Sequence, residues 1–162
     1  IFGTLIALVQ NGVPILGIID QAILEERWIG AAGRESTFNG DGIRTRPCPA
    51  LDTAVLNTTS PDLFDGAEGP AFRRLAARTG MTIYGGDCYA YALLASGHVD
   101  LVVEAGLKPY DFCALAPVIN GAGGVVTDWQ GNHISMASNG RILAAGNPDL
   151  IPRAVQLLEI PA

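Results

Sequence analysis

Charge, histidine and cysteine are scarce in this sequence. Charged residues make up 16% of its 162 positions and hydrophobic residues 49%, which excludes a disordered chain, since such a chain could not bury enough apolar surface to order itself. Lysine and arginine number 10 against 16 acids, a net charge of -6. A phosphodiester backbone would be repelled, so no nucleic-acid partner is expected. A small phosphate ester remains open, because bound cations reverse a local field. No apolar run approaches the ~20 residues of a membrane span, so no membrane partner is expected. No basic segment precedes the first apolar stretch, as a secretory signal would require. Cys48, Cys88 and Cys113 lack metal-type spacing; reduced, buried thiols in a cytoplasmic protein account for them. His98 and His133 lie near glycine turns and far apart, as ordinary loop histidines do. Trp28 and Trp129 follow strand-like stretches and read as packing residues.

Turns and short apolar runs are abundant, with 20 glycines. The chain opens on Ile1-Phe2-Gly3-Thr4-Leu5-Ile6, without Met or a polar lead-in; this reads as mid-strand, in a domain whose upstream residues are missing. Thr4 to Val9 and Val13 to Asp20 flank Asn11-Gly12, a strong hairpin signal. A third strand is expected within Gln21 to Ile29, then turns and a short hairpin between Arg34 and Pro49. Ala54 to Thr58, Met81 to Tyr84 and Val99 to Val103 predict strands, as do Val125 to Asp128 and Ile142 to Ala145. Pro70 to Arg78 predicts an amphipathic helix with Phe72, Leu75 and Ala76 inward and Arg73, Arg74 and Arg78 solvated. Cys88 to Ser96 predicts a second helix, and Asn147-Pro148-Asp149 opens a terminal one through Leu158. Asp111 precedes Phe112, Leu115, Ala116 and Ile119 at i, i+3, i+4, i+7 spacing, the place of an N-cap. The fold class is a layered α+β / α/β arrangement, antiparallel strands first and an α/β half after, with residues 1–162 as one unit.

Three stretches invite chemistry. Gly85-Gly86-Asp87-Cys88 opens a helix, where backbone N–H groups can hold a polar ligand; a tight strand-to-helix turn explains the glycines equally. Glu104 ends an apolar strand, where ligands collect in open α/β sheets, or is a solvated strand end. Asp111 caps a helix or binds a cation, and one carboxylate has lone pairs for both. A dinucleotide loop does not fit, because Gly121-Ala122-Gly123-Gly124 follows a helix instead of preceding one.

Together these stretches resemble the C-terminal part of the inositol monophosphatase family of Mg²⁺-dependent phosphomonoesterases. That family closes on an aromatic residue, an Asp, an apolar helix and a Gly-Gly, present here from Tyr110-Asp111 to Gly123-Gly124. Phe38-Asn39-Gly40 is similar to its F-x-N-G turn, and Gly86-Asp87-Cys88 stands at its G-T-A substrate turn. The resemblance implies an inositol monophosphatase-like (sugar phosphatase) fold, with Asp111 as a Mg²⁺ ligand. It also implies substrate contacts from Gly86, Asp87, Cys88, Glu104 and Asp111, a small phosphorylated metabolite as partner, and a homodimer in the longer protein. The run from Gly86 to Ala92, with Leu107 to Phe112, looks most like the histidinol-phosphate phosphatase branch. An acid at 87, where the family has Thr, suits a substrate bearing an amine and an imidazole. An inositol phosphate substrate is the alternative, and a non-catalytic binding or assembly module is the reading from another class.

The family's other metal carboxylates lie in G-E-E and D-P-x-D-G-T segments. Neither occurs here; Asp41-Gly42-Ile43 and Asp65-Gly66-Ala67 lack the flanking residues and read as turns. One carboxylate binds Mg²⁺ weakly, because that ion wants an octahedral oxygen set. The 162-residue chain alone is therefore expected to release no phosphate from histidinol phosphate. Millimolar or tighter Mg²⁺ binding by calorimetry, accompanied by turnover, would overturn that expectation.

Overall fold

The computed structural model describes residues 2–160. An antiparallel sheet comes first, in the order β1-β2-β3-β4-β5. β1 (Thr4–Gln10) and β2 (Val13–Gln21) form the expected hairpin, with Asn11 and Gly12 at φ 51° and 80°, the positive values a two-residue loop demands. β3 (Glu26–Ala31) starts later than the sequence suggests. Gln21 ends β2, and its side-chain oxygen accepts the N–H groups of Ile23 and Leu24 at 2.7 and 3.0 Å, folding the intervening residues into a turn. β4 (Thr37–Phe38) and β5 (Asp41–Gly42) are the short hairpin between Arg34 and Pro49.

The second sheet runs β7-β6-β8-β10-β9. Its strands are β6 (Val55–Thr58), β7 (Met81–Tyr84), β8 (Leu101–Glu104), β9 (Val125–Asp128) and β10 (Ile142–Ala145). β6 is parallel to β7 and β8, while β10 lies antiparallel between β8 and β9. Strand periodicity sends alternate residues to opposite faces. Val102, Val126, Ile142 and Ala144 meet α2 (Cys88–Ala95) and α4 (Leu115–Gly121) in a core shared with Ile19 and Trp28 of the first sheet. Leu56, Leu101, Val103 and Leu143 meet α1 (Glu68–Ala76) and α5 (Ile151–Leu158) on the other side. The layers are thus sheet, helices, sheet, helices.

α1 begins two residues before the expected Pro70, which sits in its first turn, where a missing N–H costs nothing. The helix buries Phe72 and Leu75 as expected. Arg74 is not merely solvated: its guanidinium donates to the carbonyls of Leu157, at 3.0 Å, and Glu159, closing the C-terminal end of α5. Gly17 and Gly30 let α4 lie directly on the first sheet. A Cβ at Gly17 would come within 1.9 Å of the Ala114 carbonyl oxygen, and one at Gly30 within 2.4 Å of that of Pro117. The opposite face of this sheet presents exposed Ile6, Leu8 and Ile29 beside half-buried Leu16 and Ile18.

An ion pair between exposed Arg46 and buried Asp100 ties the loop before β6 to the second sheet. Arg46 donates to both carboxylate oxygens of Asp100, at 2.8 and 2.5 Å, and the Val55 N–H donates to the same group at 2.7 Å. Burial pushes the Asp100 carboxyl up, but these hydrogen bonds outweigh it and hold the group below its ordinary value. A depressed carboxyl stabilises the fold above the unfolded-state value near ~4, and that stability is lost as pH falls through the lower folded-state value. Arg46→Ala leaves Asp100 buried without its cation and should cost about 2 kcal/mol at pH 7. Urea unfolding from pH 7 to pH 3 should show the cost shrinking as Asp100 protonates.

Candidate active site

Residues expected to act together converge at the carboxyl ends of β6 and β8. A cavity of about 340 Å³ is lined by Asp87, Cys88, Glu104 and Asp111, joined by Thr59 and Tyr91. Glu104 reaches it through the same alternation that sends Val102 to the α2 side of the sheet. It is no solvated strand end, being only 3% exposed. Its Oε1 accepts the Thr59 hydroxyl and, at 3.3 Å, the Thr59 N–H; its Oε2 accepts the Tyr91 hydroxyl at 2.8 Å. Burial pushes its carboxyl up, hydrogen bonds from Thr59 and Tyr91 oppose that, and the net shift is upward.

Asp87 stands at the head of α2 after Gly85 and Gly86, three consecutive residues at positive φ of 88°, 107° and 46°. The turn is anchored by the Gly85 N–H on the Thr58 and Thr59 carbonyls and by the Asn57 side chain on the Gly85 carbonyl. Gly86 forms this turn and is not part of the cavity lining. Asp87, at ψ -134°, makes no cap bond to the helix it precedes. Its backbone geometry favours glycine, so an acid is held there at a cost of about 1–3 kcal/mol. Cys88 is half-buried, not buried as expected, and its thiol is pushed up by burial and then by the neighbouring Asp87 charge. It stays protonated near neutral pH and is a poor nucleophile. Cys48 and Cys113 are buried, and all three thiols are free.

Asp111 is not the N-cap. The short helix α3 (Pro109–Phe112) starts earlier, Lys108 takes the cap position, and Asp111 bonds back to the Lys108 N–H at 2.8 Å. That is the third-residue half of a capping box. It engages Oδ2 and leaves Oδ1 for a cation, a hard oxygen donor of the kind Mg²⁺ takes. Among the described residues no three His, Cys, Asp or Glu side chains are grouped to hold a metal ion, so Asp111 fits as one ligand of a set completed from elsewhere. Asp41 and Gly42 form strand β5 and not the turn expected of them, the turn falling on Asn39-Gly40 just before, while Gly66 does lie in a turn. His98 and His133 are exposed, while Trp28 and Trp129 are core residues.

Thr59 and Tyr91 are not among the residues that the sequence marks for chemistry. Tyr91 lies four residues after Asp87, one helical turn on, and that spacing was the available signal. Nothing local marks Thr59, whose partner is 45 residues away. α2 itself is pinned to β3 at both ends, by Tyr89 on Glu26 at 2.7 Å and by the Trp28 indole on Ser96 at 2.8 Å. A larger cavity of about 680 Å³ beside Arg34, Glu35 and Arg44 lies at the far end of α4, where Arg44 is already paired with Glu35 at 3.3 Å. It brings together none of the residues above.

The profile of the inositol monophosphatase family matches residues 1–160. The chain belongs to the inositol monophosphatase family. Its fold superimposes on an inositol monophosphatase from Zymomonas mobilis with a TM-score of 0.96 and 51% identity, over 98% of this chain and 63% of that one. It is 53% identical to the Arabidopsis thaliana bifunctional phosphatase IMPL2, chloroplastic, over 98% of this chain and 48% of that protein. It is 31% identical to the histidinol-phosphatase of Mycobacterium tuberculosis, over 81% of this chain and 53% of that protein. The chain thus spans about half the length of the curated relatives it matches. No helix among the described residues is long and apolar enough to cross a membrane.

A carboxyl raised by burial favours the fold below its unfolded-state value near ~4.3, and that contribution is lost as pH rises through the folded-state value. Glu104→Gln removes the ionisation. Its stability relative to the unmodified chain should therefore increase between pH 4 and pH 8, measured as the difference in urea midpoints.

Proposed function

We propose that this chain forms the substrate-binding wall of a Mg²⁺-dependent phosphomonoesterase whose favoured substrate is L-histidinol phosphate. The observation that carries the reading is the pairing of Asp87 and Glu104 in one cavity whose lining contains no lysine or arginine. Two acids facing a small space recruit a cationic group, and the amine and imidazole of histidinol supply it. The strained backbone at Asp87 supports the same reading, since an acid there costs folding energy. So does similarity to a protein named histidinol-phosphatase. An inositol phosphate is the second reading, supported by the Zymomonas mobilis neighbour and by the ability of Glu104 to accept a hydroxyl.

In this scheme Asp87 and Glu104 orient the alcohol portion of the ester, and Asp111 contributes Oδ1 to the metal set. Bound Mg²⁺ supplies charge neutralisation at the phosphate and activation of water. The Thr59 and Tyr91 hydroxyls hold Glu104 in place, and Leu5, Leu63, Leu107 and Leu115 make the apolar part of the wall. Three free thiols suit a reducing compartment, which supports a cytoplasmic location. The longer protein is proposed to be a homodimer, on the family resemblance.

L-histidinol and myo-inositol lack the phosphate, so their binding to this chain tests the wall by itself. Titration followed by NMR should show L-histidinol shifting resonances at Asp87 and Glu104 more strongly than myo-inositol does, with Asp87→Thr weakening it about three- to tenfold. Equal responses to the two compounds would overturn the substrate assignment. In the longer protein, Asp87→Thr should raise KM for histidinol phosphate with kcat little changed, because the residue binds the part of the ester remote from the phosphorus.

A further inference from the structure

A carboxylate oxygen has two lone pairs and accepts at most two well-formed hydrogen bonds. At Oε1 of Glu104 both are engaged by one residue, through the backbone N–H and the hydroxyl of Thr59. At Oε2 one is engaged, by Tyr91. The other polar side chains of the cavity wall leave this count unchanged: Asp87 and Asp111 are carboxyl groups, and the Cys88 thiol is a weak donor. Tyr91 is 1% exposed, and α2, which carries it, is pinned at both ends, so its hydroxyl has no room to turn away. Burial and the nearby Glu104 also push the phenol well above its ordinary value, keeping it a donor.

We propose that Tyr91 and Thr59 are positioning residues that leave Glu104 a single open lone pair, on Oε2, and so make it a reader of one N–H group. A vicinal diol grips a carboxylate by donating two O–H groups, one to each oxygen or both to one oxygen. Thr59 fills Oε1 and Tyr91 takes one of the two lone pairs of Oε2, so both grips are closed. An ammonium or an imidazole N–H needs one acceptor and gains from the Asp87 charge as well. This inference rests on the assignment of the cavity to a cationic substrate, and it names the residues that exclude the polyol.

The test uses this chain and its Tyr91→Phe, Thr59→Ala and Thr59→Ser variants, each titrated with L-histidinol and with myo-inositol. The Glu104 carboxyl carbon is followed by NMR across pH. Tyr91→Phe and Thr59→Ala each open a lone pair, so each should lower the preference for L-histidinol about three- to tenfold. Each also removes a hydrogen bond that favours the ionised form, so the Glu104 midpoint should rise. Thr59→Ser keeps both donors and should behave as the unmodified chain. An unchanged preference in the first two variants, or loss of preference in Thr59→Ser equal to that in Thr59→Ala, overturns the proposal. If Tyr91→Phe does not fold, the two Thr59 variants decide it. Failure of the substrate assignment looks different: the unmodified chain then prefers no L-histidinol, while the Glu104 midpoint still rises in Tyr91→Phe and Thr59→Ala. A midpoint that stays put in both variants ends the positioning role as well.

Discussion

The contact of α4 with the antiparallel sheet governs the rest of the molecule. Bare backbone at Gly17 and Gly30 allows the Ala114 and Pro117 carbonyls to sit where side chains would otherwise stand. The helix then lies close enough for Val118 and Ile119 to share one core with Ile19 and Trp28. α3 precedes α4 by two residues, so seating α4 also sets where Asp111 stands relative to β1 and the cavity. On the other side α4 packs on α2, which carries Tyr91 and follows Asp87. The acids that define the site are thus fixed by a backbone contact that no acid takes part in.

Local rules made much of this legible. The Asn11-Gly12 hairpin, the apolar runs of β6 to β10 and the amphipathic α1 all follow from periodicity and turn chemistry, which act over a few residues. The break between β2 and β3 was missed because it depends on the Gln21 side chain folding back on its own backbone. The start of α3 was missed because the apolar spacing after Asp111 marks the face of a helix and not its first residue. The Arg46–Asp100 pair and the Thr59–Glu104 bond span 54 and 45 residues. No local pattern encodes such contacts; they exist only once the sheet order is known.

The candidate site divides along the same line. Asp87, Glu104 and Asp111 stand at element boundaries, where sequence signals are strongest, and they do share one cavity. Their roles shifted with the structure. Glu104 is a buried, hydrogen-bonded acid, Gly86 serves the turn and not the cavity wall, and Asp111 bonds back to its helix start from inside the helix. What sequence alone could not supply is the state of each group, because desolvation and hydrogen-bond count come from neighbours distant along the chain.

The backbone at Asp87 carries a further meaning. A position held at φ 46° and ψ -134° is one where random substitution is filtered by shape before it is filtered by charge. Glycine would fold there more easily, so selection for stability alone would favour glycine at that position. An acid in that place costs folding energy, which the contact proposed with a cationic group would offset. On that proposal position 87 works as a gauge of use: among relatives of this chain, those without a cationic substrate would have no reason to keep its charge.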